Sequence, residues 1–184
     1  MRSRLPAVVP RLRPLFLLAL ALSLAGAAPG SGQEADPADV ETVDGIITAL
    51  YASISGPMGQ VRDQARFASL FAPDGRLIPT SPNAPGGYMY WTPEEYWARS
   101  SERLAEIGFT EAEIARVTES FGRITHVFST YESYRQDQGD PGTPFARGIN
   151  SIQLVHAEGR YWILTVFWDS ERPDNPIPAR YLGG

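Results

Sequence analysis

The sequence predicts an α+β domain, and three observations carry that expectation. Apolar residues recur at three- and four-residue steps from Val40 to Ile54, the period of a helix. After Gly108 the period changes to two, the period of strands. Turn residues then fall where hairpins need them, at Gly122 and at Ala157-Glu158-Gly159.

The chain opens on a targeting pattern. Arg2, Arg4, Arg11 and Arg13 stand without an acidic residue, followed by an apolar run from Leu15 to Leu24 and the small residues Ala25-Gly26-Ala27. A basic start, a short apolar middle and an A-x-A site make a secretory signal. Residues 1–27 are therefore expected to be cleaved, with the mature protein exported to the periplasm or beyond the cell. A membrane anchor is the alternative, but a spanning helix needs about 20 apolar residues. This run is shorter and ends at Pro29-Gly30. Residues 28–38 are small and polar and read as a disordered leader.

In the next segment, Val40, Val43, Ile46, Ile47, Leu50 and Ile54 form one apolar stripe of a first helix, stopped by Ser55-Gly56-Pro57. A second, shorter helix fits Arg62 to Phe71, closed by Pro73-Asp74-Gly75. Short strands are expected at Arg76–Pro79 and Tyr88–Trp91. Thr92-Pro93-Glu94-Glu95 has an N-cap, a proline at the first helical position and a glutamate three residues after the cap. That start predicts a third helix to about Ile107. Four strands are then expected at 111–120, 123–135, 146–156 and 160–169, with a polar loop from Asp137 to Pro144. Residues 171–184 carry three prolines and read as an extended strap over the surface.

Composition excludes several chemistries. The chain has no cysteine and every basic side chain is arginine. Thiol catalysis, disulfides, Schiff-base chemistry and the phosphate-loop lysine are all excluded. With only His126 and His156, no multi-histidine metal site is expected. No cofactor and no metal are expected. Losing the four signal arginines from 16 basic residues leaves 12 against 21 acidic ones, a net −9. An acidic mature protein is not expected to bind nucleic acid or, once the signal is cleaved, a membrane.

The order helix, helix, short strands, helix, four long strands resembles the nuclear transport factor 2-like superfamily, in its SnoaL-like branch. The closing run Gly159-Arg160-Tyr161-Trp162-Ile163-Leu164-Thr165-Val166-Phe167-Trp168 carries the resemblance, with Phe67-Ala68-Ser69-Leu70-Phe71-Ala72-Pro73-Asp74-Gly75. The match covers residues 39–170. It implies a cone: a bent antiparallel sheet wrapped round three N-terminal helices, with a pocket at the open end. It also implies a homodimer through the outer sheet face. The last strand agrees, being apolar on both alternating faces and so needing cover on both. Members include isomerases, cyclases, dehydratases, hydrolases and non-catalytic binders, so the fold does not settle function.

Strand pairing predicts a pocket wall. If the Ala157–Gly159 hairpin sets His156 against Arg160, then Ile152 meets Leu164 and Asn150 meets Val166. Across the polar loop, Asn150 is expected beside Thr130. One face then holds His126, Phe128, Thr130, Glu132, Gly148, Asn150, Ile152, Leu154, Trp162, Leu164, Val166 and Trp168, and it is assigned to the helix-covered side. Glu132 and His126 are the candidate acid/base groups, and Thr130, Asn150 and Trp168 the candidate ligand contacts. Arg147 and Asp169 fall opposite one another on the other face. They form either a structural ion pair or a rim site for an anion. Structural readings stand beside each: His126 as a hydrogen-bonded core residue, Glu132 paired with Arg135, Thr130 bonded to Asn150. Three functions follow: a binder of an unidentified small molecule; a cofactor-independent lyase, isomerase or hydrolase; or a protein-interaction module acting through the sheet face or the tail.

Overall fold

A computed structural model describes residues 34–183, Pro141 excepted. The expected signal, residues 1–27, lies outside the described residues, as does most of the leader. The end of that leader is built into the domain: Ala35 is buried and the Asp36 carboxylate caps a one-turn helix, α1 (Pro37–Val40).

The first expected helix is two. After α1 the chain breaks and restarts at Thr42, whose hydroxyl accepts from the Gly45 N–H and caps α2 (Val43–Ile54). The apolar stripe faces inward as predicted, with Ile46 and Ile47 wholly buried. Burial of each such side chain contributes roughly 1.5–3 kcal/mol. Helix α3 (Gln64–Ser69) is shorter than the sequence suggested, because β1 (Phe71–Pro79) begins immediately after Leu70. Arg66 of α3 makes a two-pronged ion pair with Asp39 of α1, at 2.7 and 2.8 Å. Helix α4 (Pro93–Ile107) begins on the predicted capping box and ends at Gly108, whose φ of 63° is left-handed. A side chain there would also meet the Gln136 amide at 2.6 Å. The segment Tyr88–Trp91 is not a strand; it makes isolated bridges, Leu77 to Trp91 and Thr80 to Tyr88.

The four long strands are β2 (Thr110–Phe121), β3 (Ile124–Tyr134), β4 (Ala146–Ala157) and β5 (Arg160–Ser170). With β1 they form an open sheet in the order β1-β5-β4-β3-β2. The sheet is mixed: β1 runs parallel to β5, and the other pairs are antiparallel. Helices α2 and α4 cover its inner face. The tail crosses part of the outer face, where Tyr181 packs edge-on against Phe128 and its carbonyl accepts from the Thr130 hydroxyl at 2.6 Å. The tail thus supplies some of the cover that the two-faced last strand requires. Leu164 and Phe167 remain 39 % and 44 % exposed beyond it.

Two registers differ from expectation, and each has a physical cause. The β4–β5 turn is two residues, Glu158-Gly159, both at positive φ (55° and 78°), so Ala157 rather than His156 faces its partner. This is the tight-turn geometry that matches strand twist. It moves Trp162 to the outer face. A bulge at Leu164 then restores the expected facing of Val166 and Trp168, which pair with Ile152 and Asn150. In β3 nothing restores it: Asn150 pairs with Ser129, not Thr130, so the whole strand is turned over.

Candidate functional site

The turned strand changes which side chains meet. Ser129, Tyr131 and Ser133 of β3 face the helices, while His126, Phe128, Thr130 and Glu132 belong to the outer face. Between sheet and helices lies a cavity of about 260 Å³. Its wall is largely aromatic: Tyr51 of α2, Phe67 of α3, Tyr96 of α4, Phe109, Tyr131 of β3, Phe145 and Trp168 of β5. Phe145 is half exposed and packs edge-on against Phe109.

One carboxyl projects into this space. Glu111 stands at the start of β2, and Ser55, the residue that caps the end of α2, pins its backbone. The Glu111 N–H donates to Ser55 Oγ at 3.0 Å, and that hydroxyl lies 3.3 Å from the Glu111 carbonyl. The Glu111 carboxyl accepts from Ser133 Oγ at 2.9 Å and from Asn150 Nδ2 at 3.3 Å. Both donors are neutral, and among the described residues no cationic side chain lines the cavity. Burial without a compensating charge therefore raises the Glu111 pKa to about 7, against the pull of the two hydrogen bonds. A carboxyl titrating there can give or take a proton near neutrality.

Behind Glu111 runs a directed line of hydrogen bonds. Asn150 also donates to Tyr51 Oη at 3.1 Å, and Tyr51 Oη meets Ser129 Oγ at 2.7 Å. Ser129 donates to Glu113, which is held by Arg116. Because Glu113 and Asn150 fix the two ends, the Tyr51 proton points to Ser129 and away from the cavity. Burial raises the pKa values of Tyr51, Tyr96 and Tyr131, so all three stay neutral. Among the described residues no buried side-chain polar atom lacks a partner.

Of the residues singled out in the sequence, Asn150 and Trp168 line this cavity. The others are on the outer face. His126 Nε2 lies 3.2 Å from Ser151 Oγ. Glu132 accepts from Tyr134 Oη at 2.6 Å and stands 3.8 Å from Arg147, so it pairs neither with Arg135 nor with a ligand site inside. The expected Arg147–Asp169 pair does not form: Arg147 binds Glu171 at 2.8 Å and Asp169 binds Arg172 at 2.7 Å. Thr130 bonds the tail rather than Asn150. A second cavity, of about 420 Å³, lies beneath the tail and includes Asp169 in its wall. Sequence reasoning missed Glu111, Tyr51 and Tyr131. The signal was the alternation Glu111-Ala112-Glu113, which sets two carboxylates on one face of a strand that the fold half-buries. Among the described residues no group of His, Asp and Glu side chains is arranged to hold a metal ion.

No family model and no curated protein matches the sequence. Solved structures do resemble the fold. A proposed dehydratase of the NTF2-like family from Streptomyces avermitilis is 14 % identical, with a TM-score of 0.51 over 77 % of this chain and 97 % of that one. LinA is 8 % identical at a TM-score of 0.53, over 77 % and 91 %. A proposed calcium/calmodulin-dependent protein kinase II association domain from Xanthomonas campestris is 15 % identical at 0.54, over 71 % and 86 %. At such identities the likeness is one of fold.

Proposed function

We propose that this chain, which has the nuclear transport factor 2-like fold, binds a small molecule in the inner cavity, with Glu111 as its polar anchor. One observation carries the reading. Polar groups from β2, β3 and β4, namely Glu111, Ser133 and Asn150, converge on an otherwise apolar and aromatic wall. A few placed polar groups in an apolar cavity are what orient a compact ligand. The signal-like residues 1–27 support a periplasmic or extracellular place of action.

The test is calorimetric titration with a panel of compact fragments, comparing the native chain with Val166→Phe. Val166 lines the cavity, so the larger ring fills it. Binding that Val166→Phe abolishes and His126→Ala leaves intact supports the site. Binding indifferent to Val166→Phe and lost in His126→Ala moves the site to the outer face.

A second reading is favoured by the Glu111 pKa of about 7. A carboxyl poised there suits general acid/base catalysis, so a cofactor-independent lyase, isomerase or hydrolase would use Glu111 in the place that the sequence assigned to Glu132 or His126.

A further inference from the structure

We infer that the ligand of the inner cavity is an organic cation: a small ammonium compound with an apolar body. The inference rests on the cavity being a ligand site and names the chemical class it takes. Its first support is charge. Among the described residues of the wall, Glu111 is the one carboxyl, beside the neutral phenols of Tyr51, Tyr96 and Tyr131, and no arginine or histidine joins it. The nearby arginine heads have partners of their own: Arg135, which lies over the Phe145 ring, pairs with Asp137. Arg62 donates to the carbonyls of Ile54, Gln60, Gly56 and Phe109, and Arg147 is held by Glu171 on the outer face. With Glu111 ionised, an anionic ligand would therefore meet a like charge that no described residue of the wall offsets, and a neutral one would leave the carboxylate uncompensated.

The second support is capacity. A carboxylate offers about four lone-pair sites, and Glu111 uses two, for Ser133 and Asn150. The remaining acceptor positions have no side-chain or backbone donor among the described residues, and Glu111 lines the cavity. An ammonium group is donor-only, with up to three N–H bonds to give. The third support is the wall. Seven of its sixteen residues are aromatic, and a cation beside tyrosine, phenylalanine or tryptophan rings gains most where water is excluded. A counter-charge at one point and aromatic rings around it is the arrangement that recognises ammonium ligands.

Benzylamine, benzyl alcohol and benzoate are three probes of nearly one shape that differ in charge. Calorimetric titration of each into the native chain is expected to show benzylamine at least about tenfold tighter than benzyl alcohol, with benzoate not binding. Glu111→Gln should remove that preference, so that benzylamine binds no tighter than benzyl alcohol. A second readout needs no variant. The preference for benzylamine should grow from pH 5.5 to pH 8 as Glu111 ionises. The other titratable groups turned toward it are Tyr51, Tyr96 and Tyr131, all raised above that range, and Glu113, locked to Arg116. Benzyl alcohol binding as tightly as benzylamine, or a preference unaltered in Glu111→Gln, overturns the cation inference and leaves the cavity as a ligand site. No binding of any probe overturns both.

Discussion

The Asn150 side-chain amide donates to Tyr51 Oη at 3.1 Å, tying the centre of β4 to α2 across the floor of the cavity. The same nitrogen reaches Glu111, so one neutral group orients a carboxyl on one side and a phenol on the other. Replacing it by a side chain of similar volume and no donor isolates what it contributes. Asn150→Leu is expected to destabilise the fold by about 1–3 kcal/mol, the cost of leaving buried acceptors unpaired. It should also raise the Glu111 pKa further. Urea unfolding measures the first effect, and carboxyl ¹³C titration the second.

Glu111 makes stability depend on pH in a defined direction. Its folded pKa, about 7, lies above its ordinary value of 4.5. The native state therefore binds more protons than the unfolded state between those values. The Glu111 contribution is fully present below about pH 4.5 and is lost as pH rises through 7. Relative to Glu111→Gln, the native chain should lose on the order of 3 kcal/mol across that window. Paired denaturation curves at pH 4.5, 6 and 8 check it; a constant difference between the two proteins would count against it.

Much of this was legible in the residues. The capping box at Thr92, the inward stripe of α2 and the order of elements follow from local chemistry that a sequence displays. The facing of β3 does not. It is decided across the Asp137–Pro144 loop, whose length leaves the register free, by contacts distant in sequence: Tyr51 to Ser129 and Glu113 to Ser129. Because alternation is strictly two, that one-residue error moved Thr130, Glu132 and His126 outward and hid Tyr131 and Ser133. Trp168 was placed correctly only because the tight turn at Glu158-Gly159 and the bulge at Leu164 offset each other.

That correction has its own test. Glu132→Gln and His126→Ala alter outer-face groups, so neither should change ligand affinity at the inner cavity by more than about twofold, within the ±0.5 kcal/mol expected of surface changes. Titration of both variants with the same ligand decides it.

Gly148 lies directly against Tyr131. A Cβ there would meet the Tyr131 ring carbon at 2.6 Å and collide with its hydroxyl and with the Asp169 carbonyl. Gly148→Ala is therefore expected to destabilise by about 1–3 kcal/mol and to push Tyr131 into the cavity. The melting temperature reports the first effect, and weaker ligand binding the second.

Arg62 is a buried cation whose partners are backbone carbonyls, at 2.6 to 3.3 Å. Its planar fork joins the end of α2 to the strand entry at Phe109. Arg62→Met should cost roughly 3 kcal/mol by orphaning those carbonyls, and Arg62→Lys should recover only part of it. Chemical denaturation of the two variants measures the difference.

The most direct measurement is the pH titration of the Glu111 side-chain carbonyl by ¹³C NMR in the ligand-free native chain, assigned with Glu111→Gln. A midpoint near 7 is the result expected of a half-buried carboxyl turned to an aromatic cavity with no counter-charge among the described residues. A midpoint near the ordinary 4.5 would mean that water or a cation already reaches it, and would contradict the account.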